Sequence, residues 1–433
     1  MGVSAGFDYG TSNCAIGVLA SDGVRLLPLE EDRPLVPSTL YAPRADFELE
    51  EGEDELATAA GRAVDLRFGQ AALDAYLQDP LEGYFVKSPK SFLGAPGLSE
   101  RVKDRFVTVV AAMMRNVKRR AEQTLQAPIE HVVIGRPINF QGAGGEAENQ
   151  QAQSMLLAAA RETGFQEVRF LYEPMAAAME FEAQLDEDRL LLVVDIGGGT
   201  TDCSFVQVGP SRRASRDRDA DVLGHSGERL GGNDYDQALA LKAAMPTLGL
   251  GDHLRSGLPI PNTYFVDAVS TNDVNAQTRF YSQHTGERLD VFCRESTDPE
   301  RVRRLRTLHE GRGTYQLLRH AELAKVALSA SSDATLDLAF LERELVVPCS
   351  EAELREASKR LLDHLQGLVG EVLAQAERRP DVVYLTGGMA RSRVVRRHLE
   401  RVLDGVPIAD SDHFVSVTMG LAIWADRLFQ NPA

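Results

Sequence analysis

The sequence predicts an α/β protein built from two similar lobes, and three observations lead there. The apolar run Leu190-Leu191-Leu192-Val193-Val194 reads as a buried strand, and it breaks into Asp195-Ile196-Gly197-Gly198-Gly199-Thr200-Thr201-Asp202. The N-terminal stretch Phe7-Asp8-Tyr9-Gly10-Thr11-Ser12-Asn13 has the same design and runs on into the apolar Cys14-Ala15-Ile16-Gly17-Val18-Leu19. A chain of 433 residues is also too long for one ordinary core.

Both stretches carry a chemistry. Glycines let a turn pass through positive φ and leave room for another group to approach. Backbone N–H groups and the hydroxyls of Thr11, Ser12, Thr200 and Thr201 can hold phosphate oxygens. The aspartates would repel phosphate directly, so they imply a bridging cation or water. A Gly-rich hairpin with solvated acids is the competing reading of either stretch alone. Two copies suggest two lobes, each offering one hairpin to the same triphosphate.

Composition narrows the field. The formal net charge is −17, which disfavours nucleic acid as the main partner. Local arginine clusters, at Arg212, Arg213, Arg216 and Arg218 and from Arg301 to Arg306, read as a solvated loop and a helix face. The four cysteines, Cys14, Cys203, Cys293 and Cys349, form no CxxC pair and fit buried free thiols in a reducing compartment. No stretch has the roughly 20 apolar residues of a membrane helix, and no signal-peptide core is visible. The expected compartment is the cytoplasm, with no membrane partner.

Along the chain, Glu31 to Tyr41 reads as extended because of its prolines, and the acidic Asp46 to Glu55 as a surface loop. Phe85-Val86-Lys87-Ser88-Pro89-Lys90-Ser91-Phe92-Leu93-Gly94 offers two lysines. Residues 101–125 carry Val102, Phe106, Val109, Val110, Met113 and Val117 at helical spacing. His131 to Phe140 reads as strand then turn, before a helix from Gln150 to Thr163. Glu173-Pro174 opens a small-residue helix, with Pro in its first turn. The Arg/Asp-rich loop Ser211 to Asp221 reads as solvated. Gly231-Gly232-Asn233 precedes a helix from Asp234 to Met245, whose N-terminus suits an anion or a ribose edge. From about 246 to 300, Gly249, Gly251, Gly257, Pro259 and Pro261 break regular structure, and the segment reads as an irregular packing elaboration or a binding loop. Glu322, Lys325 and Ser329 share one helix face, where an i,i+3 surface pair is the plain reading. Ser350-Glu351-Ala352-Glu353 is a capping box opening one long helix that ends near Pro380. Asp381 to Thr386 is a strand, Gly387-Gly388-Met389-Ala390-Arg391 follows, and Val417 to Ala425 is a small-residue helix.

These motifs, in this order, resemble the DnaK-type chaperones among the actin-like ATPases, and the resemblance runs along nearly the whole chain except 246–300. It looks like a compact DnaK relative, similar to the chaperone-like proteins called YegD. The resemblance implies a two-lobed, duplicated ribonuclease H-like fold with a nucleotide cleft between mixed sheets. It implies ATP or ADP with Mg²⁺, the hydrated ion being held by Asp8 and Asp195 through water. Asp8, Lys90, Glu173, Asp195 and Asp202 take the catalytic roles, with Lys87 as the alternative phosphate lysine. Gly10, Thr11, Ser12, Asn13, Gly197, Gly198, Gly199, Thr200 and Thr201 line the phosphates. Gly231, Gly232, Asn233, Glu322, Lys325, Ser329, Gly387, Gly388, Met389 and Arg391 fall to the adenosine end. Three positions depart from the family. Gln153 stands where an arginine relays nucleotide state together with the proline here numbered Pro137. Met389 replaces a serine, and Phe414 an aspartate.

The implied division is lobe I over 1–190, with core 1–40 and 129–190, the C-terminal helix 411–433, and outer part 41–128. Lobe II covers 191–410, with core 191–230 and 335–410 and outer part 231–334. The sequence ends at Ala433 with no stretch resembling a linker or a peptide-binding sandwich. The expected function is slow Mg-dependent ATP hydrolysis in a chaperone or nucleotide-gated interaction module, with client or co-chaperone proteins as partners. A small-molecule kinase and a filament-forming protein of the same superfamily are the alternatives.

Overall fold

A computed structural model describes residues 3–43, 65–80, 82–140, 145–215, 218–409 and 415–429. The acidic stretch Asp46 to Glu55, Arg216 and Phe414 lie outside them. The chain divides into two compact units. The first comprises Met1–Gly231, Leu365–Ala390 and Glu400–Ala433; the second comprises Gly232–His364 and Arg391–Leu399.

The first unit contains one sheet pattern twice. The first copy runs through β1 (Val3–Tyr9), β2 (Asn13–Ala20), β3 (Gly23–Leu26), β4 (Ile129–Arg136) and β5 (Glu167–Tyr172), with the short strand Val36–Pro37 added beside β2. The second runs through β6 (Arg189–Ile196), β7 (Thr201–Val208), β8 (Val222–Glu228), β9 (Val382–Thr386) and β10 (Ile408–Ala409). The spatial orders are β3-β2-β1-β4-β5 and β8-β7-β6-β9-β10. In both sheets the first strand pairs antiparallel with the hairpin strand beside it and parallel with a strand reached much later. The apolar run that begins β6 is covered on both faces, with Leu191, Leu192, Val193 and Val194 all fully buried. That is what an unbroken apolar strand requires.

The helix Ser416–Phe429 locks against the first sheet through small residues. An ideal Cβ on Gly6 would lie 2.1 Å from the Ala422 nitrogen. One on Gly420 would lie 1.8 Å from the Ala176 carbonyl oxygen, in the helix Glu173–Glu182. Val133, Met175, Leu421, Trp424 and Ala425 share a core with Val193, Val206 and Tyr384, so helices and strands of both sheets meet in one apolar cluster.

Three expectations change. The loop Ser211 to Asp221 is not solvated throughout. Arg218 and Asp221 are buried, and Arg218 donates from both terminal nitrogens to Glu182 at 2.9 Å and from Nε to Asp221. Glu182 is fully buried, so its charge needs this fixed partner. The segment around 246–300, in the second unit, is largely helical, with helices Thr263–Val269, Val274–Phe280 and Gln283–Glu295, and then Pro299–Glu310. Side chains of Asp273, Ser282 and Asp298 cap the last three, and Phe265, Phe280 and Phe292 are buried. Short helices interrupted by caps blur a 3.6-residue period. The long helix after Ser350 is interrupted at Ser358, giving Glu351–Ala357 and Lys359–Ala376, although the capping box forms as expected. Three of the four free cysteines are buried, and Cys293 is half-buried. No helix among the described residues is long and apolar enough to cross a membrane.

Two glycine substitutions should move stability in opposite directions. Gly420→Val drives a side chain into the Ala176 backbone and should cost roughly 1–3 kcal/mol or more. Gly367→Ala, on an exposed helical position with nothing within 4 Å of a new Cβ, should gain about 0.5–1 kcal/mol. Denaturation midpoints measure both, and an unchanged midpoint for Gly420→Val contradicts the close packing.

Candidate functional site

The repeated hairpins bring their turns together. Residues 10–12 connect β1 to β2, and residues 197–200 connect β6 to β7, where the Gly197 amide donates to the Thr200 carbonyl at 2.9 Å. A Cβ on Gly198 would lie 1.8 Å from Ser12 Oγ, and one on Gly199 would lie 2.7 Å from Thr11 Cγ2. The segment after β8 closes over them, since a Cβ on Gly231 would meet the Gly198 carbonyl carbon at 2.6 Å. None of Gly197, Gly198 and Gly199 has positive φ. The three glycines therefore serve close approach and not the left-handed turn that the sequence suggests. Thr201 also departs from expectation. It is fully buried and its hydroxyl donates to the Leu230 carbonyl at 2.7 Å, so it tethers the chain before Gly231 and does not face a ligand. Thr11 is buried, whereas Gly10, Ser12, Asn13 and Thr200 keep partial exposure.

Around these turns lie four carboxylates and one lysine, all buried or nearly so. Asp8 and Asp195 are the next-to-last residues of β1 and β6, Asp202 is the second residue of β7, and Glu173 opens its helix just before Pro174. Lys90 sits on a short 3₁₀ turn, Pro89–Phe92, and donates to Glu173 Oε1 at 2.6 Å. Lys87, on the strand Gly83–Lys87, is paired in register with Thr39. Room for the acids comes from glycines. A Cβ on Gly227 would stand 2.6 Å from Asp202 Oδ1, and one on Gly387 would stand 2.7 Å from Asp195 Oδ1.

The electrostatics follow from too many anions in a dry place. Burial and then Glu173 push Asp8 up to about 7, with Lys90 opposing. Burial and then Glu173 push Asp202 up to about 7 as well, while the Ile138 amide, the Thr200 hydroxyl and Lys90 work the other way. Asp195 is raised well above the carboxylate range by burial and by Glu173, Asp202 and Asp8. Burial alone would lower Lys90, but Glu173 and Asp8 outweigh it and hold the ammonium charged. Asp202 Oδ1 accepts the Ile138 amide at 2.7 Å, and its Oδ2 is buried without a hydrogen-bond partner. A surplus of buried carboxylate with an unpartnered oxygen fits a cation. Among the described residues no group of three acids, histidines or cysteines is close enough to hold an ion by itself. The residues present therefore suit an ion that keeps most of its shell as water and phosphate oxygen.

Residues 95–244 match the family model described as Hsp70 protein. The chaperone protein HscA of Serratia proteamaculans (strain 568) is 26% identical over 436 residues, 99% of this chain and 59% of that protein. The HscA homolog of Ralstonia nicotianae (strain ATCC BAA-1114 / GMI1000) is 25% identical over 448 residues, 100% of this chain and 59% of that protein. The chain is a homologue of the Hsp70-type chaperones. Its fold is that of the actin-like ATPases. The HscA homolog of Rickettsia rickettsii (strain Sheila Smith) is 26% identical over 281 residues, 62% of this chain and 44% of that protein. The chain thus spans between about two fifths and three fifths of the length of these relatives.

The remaining predicted residues of this Hsp70 homologue separate by unit. In the first, Gly387 has φ +80 and Gly388 opens the 3₁₀ turn Gly388–Arg391, on which Met389 is buried. In the second, Gly232 and Asn233 begin the helix Gly232–Leu239. Lys325 Nζ donates to the Gly232 carbonyl and pairs with Asp236, both at 2.8 Å. Glu322 pairs with Arg319 at 3.0 Å. Ser329 caps the end of its helix, and Arg391, assigned to this unit, is exposed.

Three residues of the site escaped the sequence. Ser38 is buried, donates its hydroxyl to the Gly10 carbonyl at 2.7 Å and its amide to the Ser12 carbonyl at 2.8 Å, and accepts the Ser88 amide at 2.8 Å. It staples the first turn to the loop bearing Lys90; the Pro37-Ser38 dipeptide was its only signal. Ile138 acts through its backbone, to which sequence gives no clue. Arg229 lines a narrow cavity with Thr11, Lys90, Gly199 and Thr200; its sole signal is a cation two residues before Gly231.

The raised Asp202 makes a sign-definite prediction. A folded value of about 7 against 3.8 unfolded means the neutral carboxyl favours folding. That contribution is complete below 3.8 and is lost as pH rises through about 7. An Asp202→Asn variant, which does not titrate, should therefore gain thermal stability relative to wild type as pH is raised from about 5 to about 8. Melting midpoints in chelator without nucleotide measure the difference, and one independent of pH contradicts the charge assignment.

Proposed function

We infer that this Hsp70 homologue binds ATP and ADP with Mg²⁺ and hydrolyses ATP slowly, as the nucleotide-gated part of a chaperone or of a related interaction module in the cytoplasm. The observation that carries this reading is the meeting of two hydroxyl-bearing turns from duplicated sheets beside a buried cluster of acids and one lysine. Amides of the glycine turn with Thr11, Ser12 and Thr200 suit the β- and γ-phosphate oxygens. Asp8 and Asp195 suit a hydrated cation, and a magnesium ion held there would offset the charge of the phosphates. Lys90 supplies a fixed positive charge, and its bond to Glu173 fixes the two groups to one another, which suits them to position an attacking water. Asp202, with a value near neutrality and one free carboxylate oxygen, can accept that water's proton.

The adenosine end is assigned to Gly231, Gly232, Asn233, Glu322, Lys325, Ser329, Gly387, Gly388, Met389 and Arg391 on family likeness. Chaperone action, with clients or co-chaperones as partners, rests on the likeness to the HscA chaperones.

The test is calorimetry with Mg-ADP and a phosphate-release assay with ATP, with and without an unfolded protein. Wild type should bind ADP and release phosphate from ATP alone. Asp202→Asn should still bind ATP while turnover falls by about 10²-fold or more. Absence of nucleotide binding by the wild-type chain refutes the reading. Equal turnover in the two proteins refutes the role of Asp202.

A further inference from the structure

Arg229 occupies a position that its backbone leaves little freedom to change. It follows β8, in which Gly227 is paired with Asp202 and Glu228 with Thr201. The next residue, Leu230, donates its amide to the Glu228 carbonyl at 2.9 Å and accepts the Thr201 hydroxyl at 2.7 Å. Gly231 then lies against Gly198 and Gly199. Fixed on both sides, Arg229 stands at the second glycine turn. It lines a narrow cavity together with Lys90, Thr11, Gly199 and Thr200. Among the described residues no acid borders that cavity. Two cations, the hydroxyls of Thr11, Ser91 and Thr200, a glycine backbone and the rings of Pro137 and Phe140 line it, beside the four carboxylates, of which Glu173 is bonded to Lys90.

That composition fits one kind of guest. A transferring phosphoryl group spreads negative charge over three oxygens. A guanidinium is always protonated and offers a planar fork of donors that matches two such oxygens at once, which an ammonium does not. We propose that Arg229 is a catalytic residue that contacts the terminal phosphoryl group from within the same chain and stabilises its transfer to water. The inference rests on the nucleotide reading above. In the step it assists, a water oxygen bonds to the γ-phosphorus while the bond from that phosphorus to the bridging oxygen breaks. The electron pair stays on the bridging oxygen as ADP, and one water proton is released with inorganic phosphate.

The experiment compares wild type, Arg229→Gln and Arg229→Lys as full chains. It measures single-turnover phosphate release, ADP affinity by calorimetry, and the affinity of ADP with fluoroaluminate, a mimic of the phosphoryl group in flight. Arg229→Gln should lose about 10²-fold or more in phosphate release. ADP affinity should stay within about threefold of wild type, and the extra affinity given by fluoroaluminate should disappear. Arg229→Lys should recover part of both losses. Retention of phosphate release and of the fluoroaluminate effect in Arg229→Gln overturns the proposal while leaving the nucleotide reading intact. A parallel loss of ADP affinity and melting midpoint, unrelieved by lysine, identifies a structural arginine and also overturns it. A wild-type chain that binds no ADP removes the nucleotide reading and the proposal with it.

Discussion

The site depends on backbone coming within side-chain distance of a neighbouring turn. Gly198 and Gly199 lie so close to Ser12 and Thr11 that any Cβ would collide. Gly231 approaches the same turn from a third segment. Such crowding is stable only where strands hold each turn from behind, and the duplicated sheets supply them in matching order. The antiparallel pairs Tyr9↔Cys14 and Ile196↔Thr201 close the two turns at equivalent places. Helix packing through Gly6 and Gly420 keeps the first sheet in position by the same device, absence of a side chain at a crossing.

Charge gives that geometry its chemistry, and two buried charge clusters of the first unit make the contrast plain. Around Arg218 the acids Glu182 and Asp221 are each matched by a guanidinium, with Arg212 pairing Asp221 and Arg213 bonding the Glu182 carbonyl. It ties a loop to a helix end, and its main charges are spent on one another. Around Lys90 the balance fails. Four carboxylates share one ammonium, and three of them are driven upward by burial and mutual repulsion. A cluster left short of positive charge suits a cation, and the cavity beside it, lined by Arg229 and by the hydroxyls of Thr11, Ser91 and Thr200, suits an anion. A metal–phosphate pair answers both.

Much of this was visible in the order of residues. The apolar run of β6 and its break into glycines, the N-terminal copy of that design, the capping box at Ser350 and the Glu-Pro helix start are local signals, and local physics realises them. The segment near 263–295 does not read as helical in sequence because its helices are only about two to four turns long and their caps, Asp273 and Ser282, look like loop residues without the packing of Phe280 and Phe292. Arg218 reads as solvated in sequence because a charged run gives no sign of the buried partner, Glu182, that lies beside it in the fold.

The sequence by itself determined where the strands stop, where backbone amides and hydroxyls gather, and which acids stand beside them. These depend on neighbours a few residues apart. Tertiary structure decided why the glycines are needed, which lysine meets Glu173, that the Thr201 hydroxyl turns inward, and that Ser38, Ile138 and Arg229 join the site. Each of those rests on contacts between segments far apart in the chain, as between Ile138 and Asp202 or Lys90 and Glu173. No local pattern encodes such distances; they exist only after the two sheets and their helices have packed.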